Sequence, residues 1–128
     1  MKVGVVTDDG RTISHHFGRA HYYIVYDIQD DAVRGREMRP KAGHHHGGVE
    51  QDTGGVGHRE ETEASLHESM LSNVGDCEAL ITRGMGRGMR EAIAQSGKKS
   101  FITALENADE AVEAYIGGTL DDHAERLH

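Results

Sequence analysis

Ten histidines stand against one cysteine in this 128-residue chain, and seven of them fall at His15, His16, His21, His44, His45, His46 and His58. Histidine is a borderline-soft donor, largely neutral at pH 7, and the commonest side-chain ligand for zinc, copper, nickel and iron. Such a concentration points to metal handling by imidazole. Protonated imidazole cannot ligate, so binding of this kind falls as pH drops through about 6.5. A blander reading stands beside it for His44, His45 and His46. Consecutive residues cannot all face one ion, no i,i+4 pair or C-x-x-C brace fixes their geometry, and a His/Gly loop also serves as a soluble linker. If that triplet does take metal, zinc or nickel are the ions it suits.

Two other groupings could do chemistry. Asp8 and Asp9 could hold a divalent ion beside His16 for hydrolysis, but adjacent aspartates before Gly10 more simply make a turn, and no second acidic pair recurs at the end of strand 4. Gly84-x-Gly86-x-Gly88, flanked by Arg83 and Arg87, offers backbone N–H groups at a strand-to-helix turn, where an anionic ligand is favoured. It lacks the Lys-Ser/Thr of a P-loop and is a residue short of G-x-G-x-x-G, and tight turning alone also explains its glycines. The single Cys77 excludes an internal disulfide and an all-cysteine cluster or zinc site. It reads as a small buried hydrophobe in a reducing, cytoplasmic protein.

A formal net charge of −8 argues against nucleic acid as a partner, because phosphate neutralisation needs clustered Lys and Arg. Arg34, Arg36, Arg39 and Lys41 do gather, but on an alternating segment where they suit the solvent face of an edge strand. No apolar run approaches the roughly 18 residues that a membrane span needs, and the opening run is too short for a signal peptide, so no membrane association is expected.

These groups need elements to hold them. Lys2 to Thr7 is apolar and β-branched, as a central strand buried on both faces would be. Tyr22 to Ile28 reads as a second strand, and Gln29-Asp30-Asp31 as a turn into a third, running from Ala32 to about Met38. Regular structure then stops at Pro40 for a His/Gly-rich loop over 40–59. From about Glu60 a helical stripe of Leu66, Met70, Leu71 and Val74 follows, with His67 beside it, ending at Gly75. Ala79 to Thr82 gives a fourth strand, Met89, Ala92, Ile93 and Ser96 share a helix face, and Lys99 to Thr103 gives a fifth strand. Asn107, with Glu110 three residues on, opens a last helix ended by Gly117-Gly118. The domain is expected over 1–116, with 117–128 a polar, frayed tail.

With right-handed crossovers this order gives an α/β fold: a three-layer α/β/α arrangement on a five-stranded mixed sheet, order 3-2-1-4-5, strand 2 antiparallel. A ligand crevice is then expected beyond the carboxyl ends of strands 1 and 4, where the connections leave in opposite directions. That edge brings His15 and His16 toward the glycine loop.

The stretch Ile13-Ser14-His15-His16-Phe17-Gly18-Arg19-Ala20, taken with the first strand, Asp8-Asp9-Gly10 and Gly84-Met85-Gly86, resembles the dinitrogenase iron–molybdenum cofactor biosynthesis family. This family includes NifX-like and NafY-like carriers and the C-terminal domain of NifB-like proteins. The resemblance runs from about Met1 to Ile116, and S-x-H-F-G-x-A is its diagnostic part. It implies a ribonuclease H-like motif and a non-catalytic protein that binds or carries an iron–sulfur-type or iron–molybdenum-type cluster or its precursor, with cofactor-assembly proteins as partners. The histidine of H-F-G, implied in cofactor contact, falls on His16, and the G-M-G turn on Gly84, Met85 and Gly86. The expected site is therefore His16 as ligand, completed by His15 or by one of His44, His45 and His46. Gly84, Met85, Gly86 and Arg87 would support an anionic cargo.

Overall fold

The computed structural model describes residues 1–41 and 69–127. Five strands, β1 (Lys2–Thr7), β2 (Tyr22–Gln29), β3 (Ala32–Pro40), β4 (Ala79–Thr82) and β5 (Lys99–Ile102), form one sheet in the order β3-β2-β1-β4-β5. β2 runs antiparallel to both neighbours, and β1, β4 and β5 run parallel, as the sequence led us to expect. The two-residue turn between β2 and β3 has positive φ at Asp30 and Asp31, +54° and +61°, the left-handed pair that matches the twist of a tight hairpin and that aspartate tolerates.

Alternation along the strands sends side chains to two cores. Val6, Tyr23, Val25 and Leu80 pack on one face with Leu71, Val74 and the Met89 and Ile93 face of helix α1 (Arg87–Gln95). Val3, Val5, Ile24, Tyr26 and Ile81 pack on the other with Ala108, Ala111 and Val112 of helix α2 (Ala108–Gly117). Gly4 lets the first core close, since a Cβ there would sit 2.9 Å from Leu80 Cδ2. The Asn107 side chain caps α2 by accepting from the Glu110 N–H at 2.9 Å, and Gly118, at φ +77°, ends it. Of the helix expected from Glu60, the described part is helical over 69–71 and tightens into the 3-10 turn Ser72–Val74. Leu66, His67 and residues 42–59 of the His/Gly-rich loop, including His44, His45, His46 and His58, lie outside the described residues.

Two expectations are corrected. The tail does not fray: Asp122 accepts the Ile102 N–H at 3.0 Å, the His123 N–H donates to the Ile102 carbonyl at 2.7 Å, and Asp122 pairs with Arg90. Farther on, Leu127 bridges to Met85 and packs on the core. An edge strand carries unpaired main-chain groups, and the tail satisfies those of Ile102 in β5. Nor does Lys41 share the solvent face of β3. It is 2% exposed, opposite His21 and just past the strand end, with its ammonium 5.3 Å from the centre of the Phe17 ring.

Candidate functional site

Beyond the carboxyl ends of β1 and β4, where the crevice was expected, lies an open cleft of about 420 Å³. The chain after β1 forms one wall. Asp9 Oδ1 accepts the N–H groups of Thr12 and Arg11 at 2.7 and 2.8 Å, and Oδ2 accepts the Thr12 hydroxyl at 2.8 Å. Those backbone donors hold the Asp9 carboxyl well below the usual carboxylate range. Asp9 thus closes the turn that its place before Gly10 suggested, and it also lines the cleft.

Main-chain bonds then stitch this wall to the other loops. The Ser14 N–H donates to Val6, Arg83 N–H to Ser14, Phe17 N–H to Gly84 and Ile13 N–H to Glu106, at 2.9 to 3.1 Å. The stitching places His15 and His16, both exposed, on the cleft with Arg83 and Glu106. The expected meeting of the histidine pair with the loop after β4 is therefore present, but through Arg83 alone of that loop. Gly84 is buried, Met85 is 1% exposed in the first core, Gly86 is the N-cap of α1, and Arg87 is exposed in its first turn. Met85 serves packing where the motif had suggested cargo contact.

The side chains of the wall are not equivalent. Arg83 places an N–H 2.9 Å from His15 Nε2. A guanidinium only donates, so His15 Nε2 accepts and its proton resides on Nδ1. The Arg83 Nε is buried without a hydrogen-bond partner. Asp8, at the end of β1, accepts from both the backbone N–H and the Nδ1 of His21, at 2.9 and 2.8 Å. Behind this pair, burial pushes the Lys41 ammonium down to about 8, partly opposed by the Asp8 charge. Sequence reasoning passed over the Asp8–His21 pair and the burial of Lys41. Their only signal is the β1–β2–β3 register, which sets residues 8, 21 and 41 in one row.

Among the described residues no group of three or more His, Cys, Asp or Glu is arranged to hold a metal ion, and no helix is long and apolar enough to cross a membrane. Cys77 is buried, with its thiol pushed up to about 11 by burial and then by Asp76, so it is packing rather than a ready thiolate.

The family model described as dinitrogenase iron-molybdenum cofactor matches residues 1–118. No curated protein matches significantly. Among solved structures, a Methanocaldococcus jannaschii protein provisionally termed a dinitrogenase is 16% identical, with a TM-score of 0.66 over 97% of this chain and 95% of that one. A Thermotoga protein provisionally termed NifB is 22% identical, with a TM-score of 0.60 over 94% and 91%. The apo form of the orange protein from Desulfovibrio gigas is 17% identical, with a TM-score of 0.65 over 96% and 92%. At these identities the likeness is one of fold.

Proposed function

Since this chain belongs to the dinitrogenase iron–molybdenum cofactor family, we propose that it is a non-catalytic carrier for an iron–sulfur-type metallocofactor or its precursor. The observation that supports this most is the stitched cleft beyond β1 and β4, which His16 of the H-F-G motif and Arg83 both line. Imidazole supplies a donor to iron or molybdenum, and the guanidinium offers charge to an anionic cargo. A cluster brings its own bridging ligands, so a chain whose described residues form no three-ligand site can still hold one through one or two donors. In this reading the domain spans 1–116 with the ribonuclease H-like motif. Gly86 and Arg87, at the start of α1, act at longer range than Arg83, and cofactor-assembly proteins are the delivery partners.

The test is anaerobic titration of the apo protein with an iron–sulfur cluster precursor and, separately, with Zn²⁺. Wild type is compared with His16→Ala and with a triple alanine replacement of His44, His45 and His46. Cluster binding lost with His16→Ala is the expected result. Zinc binding lost only in the triple variant, with no cluster binding in any protein, would replace the carrier by a metal-buffering loop.

A further inference from the structure

The family match ends at residue 118, and the residues after it are ordered by the fold. Gly118, at φ +77°, turns the chain off the end of α2. Leu120 packs against the second core, on the α2 face of the sheet, whereas Leu127 packs against the first, on the α1 face. Between them the tail passes round the edge of the sheet. There Asp122 accepts the Ile102 N–H at 3.0 Å, and the His123 N–H donates to the Ile102 carbonyl at 2.7 Å. Asp122 also accepts from both terminal nitrogens of Arg90 in α1. The 3-10 turn Ala124–Arg126 then sets Leu127 in a parallel bridge with Met85.

Met85 is where this strap meets the cleft. Two residues before it, Arg83 lines the cleft and donates its N–H to Ser14, and the Gly84 carbonyl accepts the Phe17 N–H at 2.9 Å. On its other side Gly86 is the N-cap of α1, the helix that Asp122 grips through Arg90. The loop over 83–86 is thus held from two directions, by the 14–17 wall of the cleft and by the tail. Thr119, Asp121, Ala124, Glu125 and Arg126 are exposed, and a segment fixed by so few contacts opens locally without the rest unfolding. Opening removes support from Met85 and the start of α1, and so from Gly84 and from Phe17, the residue after His16. We propose that residues 119–127 are a latch on the cleft: docked, the tail holds the loop after β4 in the arrangement that retains cargo, and undocked, it lets cargo go. The inference rests on the carrier reading and adds the regulation of its site. Coupling of this kind is reciprocal, so a cargo held more tightly when the tail is docked must itself hold the tail down.

The experiment compares the full chain with Leu127→Ala and with a chain ending at Gly118, first as apo protein and then with an iron–sulfur cluster bearing exchangeable thiolate ligands under anaerobic conditions. Leu127→Ala keeps the Ile102 and Arg90 contacts, so it decides the matter alone if the shorter chain fails to fold. In the apo variants amide exchange at Phe17 should rise, while the amides that pair β1 with β2 keep wild-type rates. Phe17 exchange unchanged, or a rise shared by the β1–β2 amides, overturns the proposal, since the tail is then either uncoupled from the cleft or a general stabiliser. Cluster binding should weaken about 5- to 150-fold in the shorter chain and in the same direction in Leu127→Ala. In the wild type, bound cluster should slow exchange over 119–127, read by mass spectrometry, by the factor that the shorter chain loses in affinity. Wild-type affinity in Leu127→Ala overturns the latch and leaves the carrier reading standing. A wild type that takes up no cluster overturns both.

Discussion

Lys41→Met should stabilise the protein, and the gain should vanish in alkali. The Lys41 side chain is 2% exposed, and its Nζ has no hydrogen-bond partner. Its compensations are the Phe17 ring at 5.3 Å and the charge of Asp8. Burial, the larger influence, brings the group from 10.5 down to about 8. The unfolded chain therefore binds this proton more tightly than the folded one, so the penalty is fully present below pH 8 and fades as pH rises to 10.5. At about 1.4 kcal/mol per pH unit, that gap amounts to about 3 kcal/mol. Methionine keeps the unbranched shape without the charge. Urea unfolding at pH 7, 8, 9 and 10 should show the variant more stable than wild type by about 3 kcal/mol at pH 7, with the difference shrinking steadily toward pH 10. Cys77, raised from 9.0 to about 11, works the other way, losing stability as pH rises, but it is common to both proteins and cancels. A difference that stays constant with pH, or a wild type that is the more stable at pH 7, would refute the reasoning.

Asp9 is held below its ordinary 3.8, first by the Thr12 and Arg11 backbone N–H groups, so it contributes stability above that pH that is lost as pH falls through its folded value. Asp9→Ala should lower stability at pH 7 and flatten the acid limb below pH 3.8, as circular dichroism against pH would show. Asp122→Ala removes the partner of both Arg90 and the Ile102 N–H and should cost about 1–3 kcal/mol in urea unfolding. Amide exchange should also rise along β5 and at Leu127. Gly4→Val places a side chain against Leu80 in the central strand and should cost about 1–3 kcal/mol, measured as a lowered urea midpoint at unchanged slope.

The sheet was readable because its signals are local. An apolar run makes β1, Asp30-Asp31 closes the hairpin, and Asn107 caps α2 with a single side chain. The cleft's position followed from strand order. What stayed hidden depends on groups distant in sequence. Lys41 looked like one more base on an alternating edge, but the strand ends at Pro40, and the next residue turns under a ring that comes from Phe17. The tail reads as polar and loose by composition, whereas its order is set by unpaired groups on β5 that its own residues do not reveal. Met85 lies inside a recognisable turn, and only the packed fold shows that its side chain fills the core. Asp8 and His21 lie thirteen positions apart and become partners only once the register is known.

The bonds joining the cleft walls, Ser14 to Val6, Arg83 to Ser14 and Phe17 to Gly84, run entirely between main-chain atoms. Nearly any residue type can supply an N–H and a carbonyl, so the spacing of the rim does not depend on which side chains stand there. Over evolutionary time such a rim can exchange its donors, gaining an imidazole at one position or giving up an arginine at another, while the frame beneath keeps its shape. Divergence in cargo is then open to single substitutions, and a designer could re-address the same cleft without rebuilding the sheet.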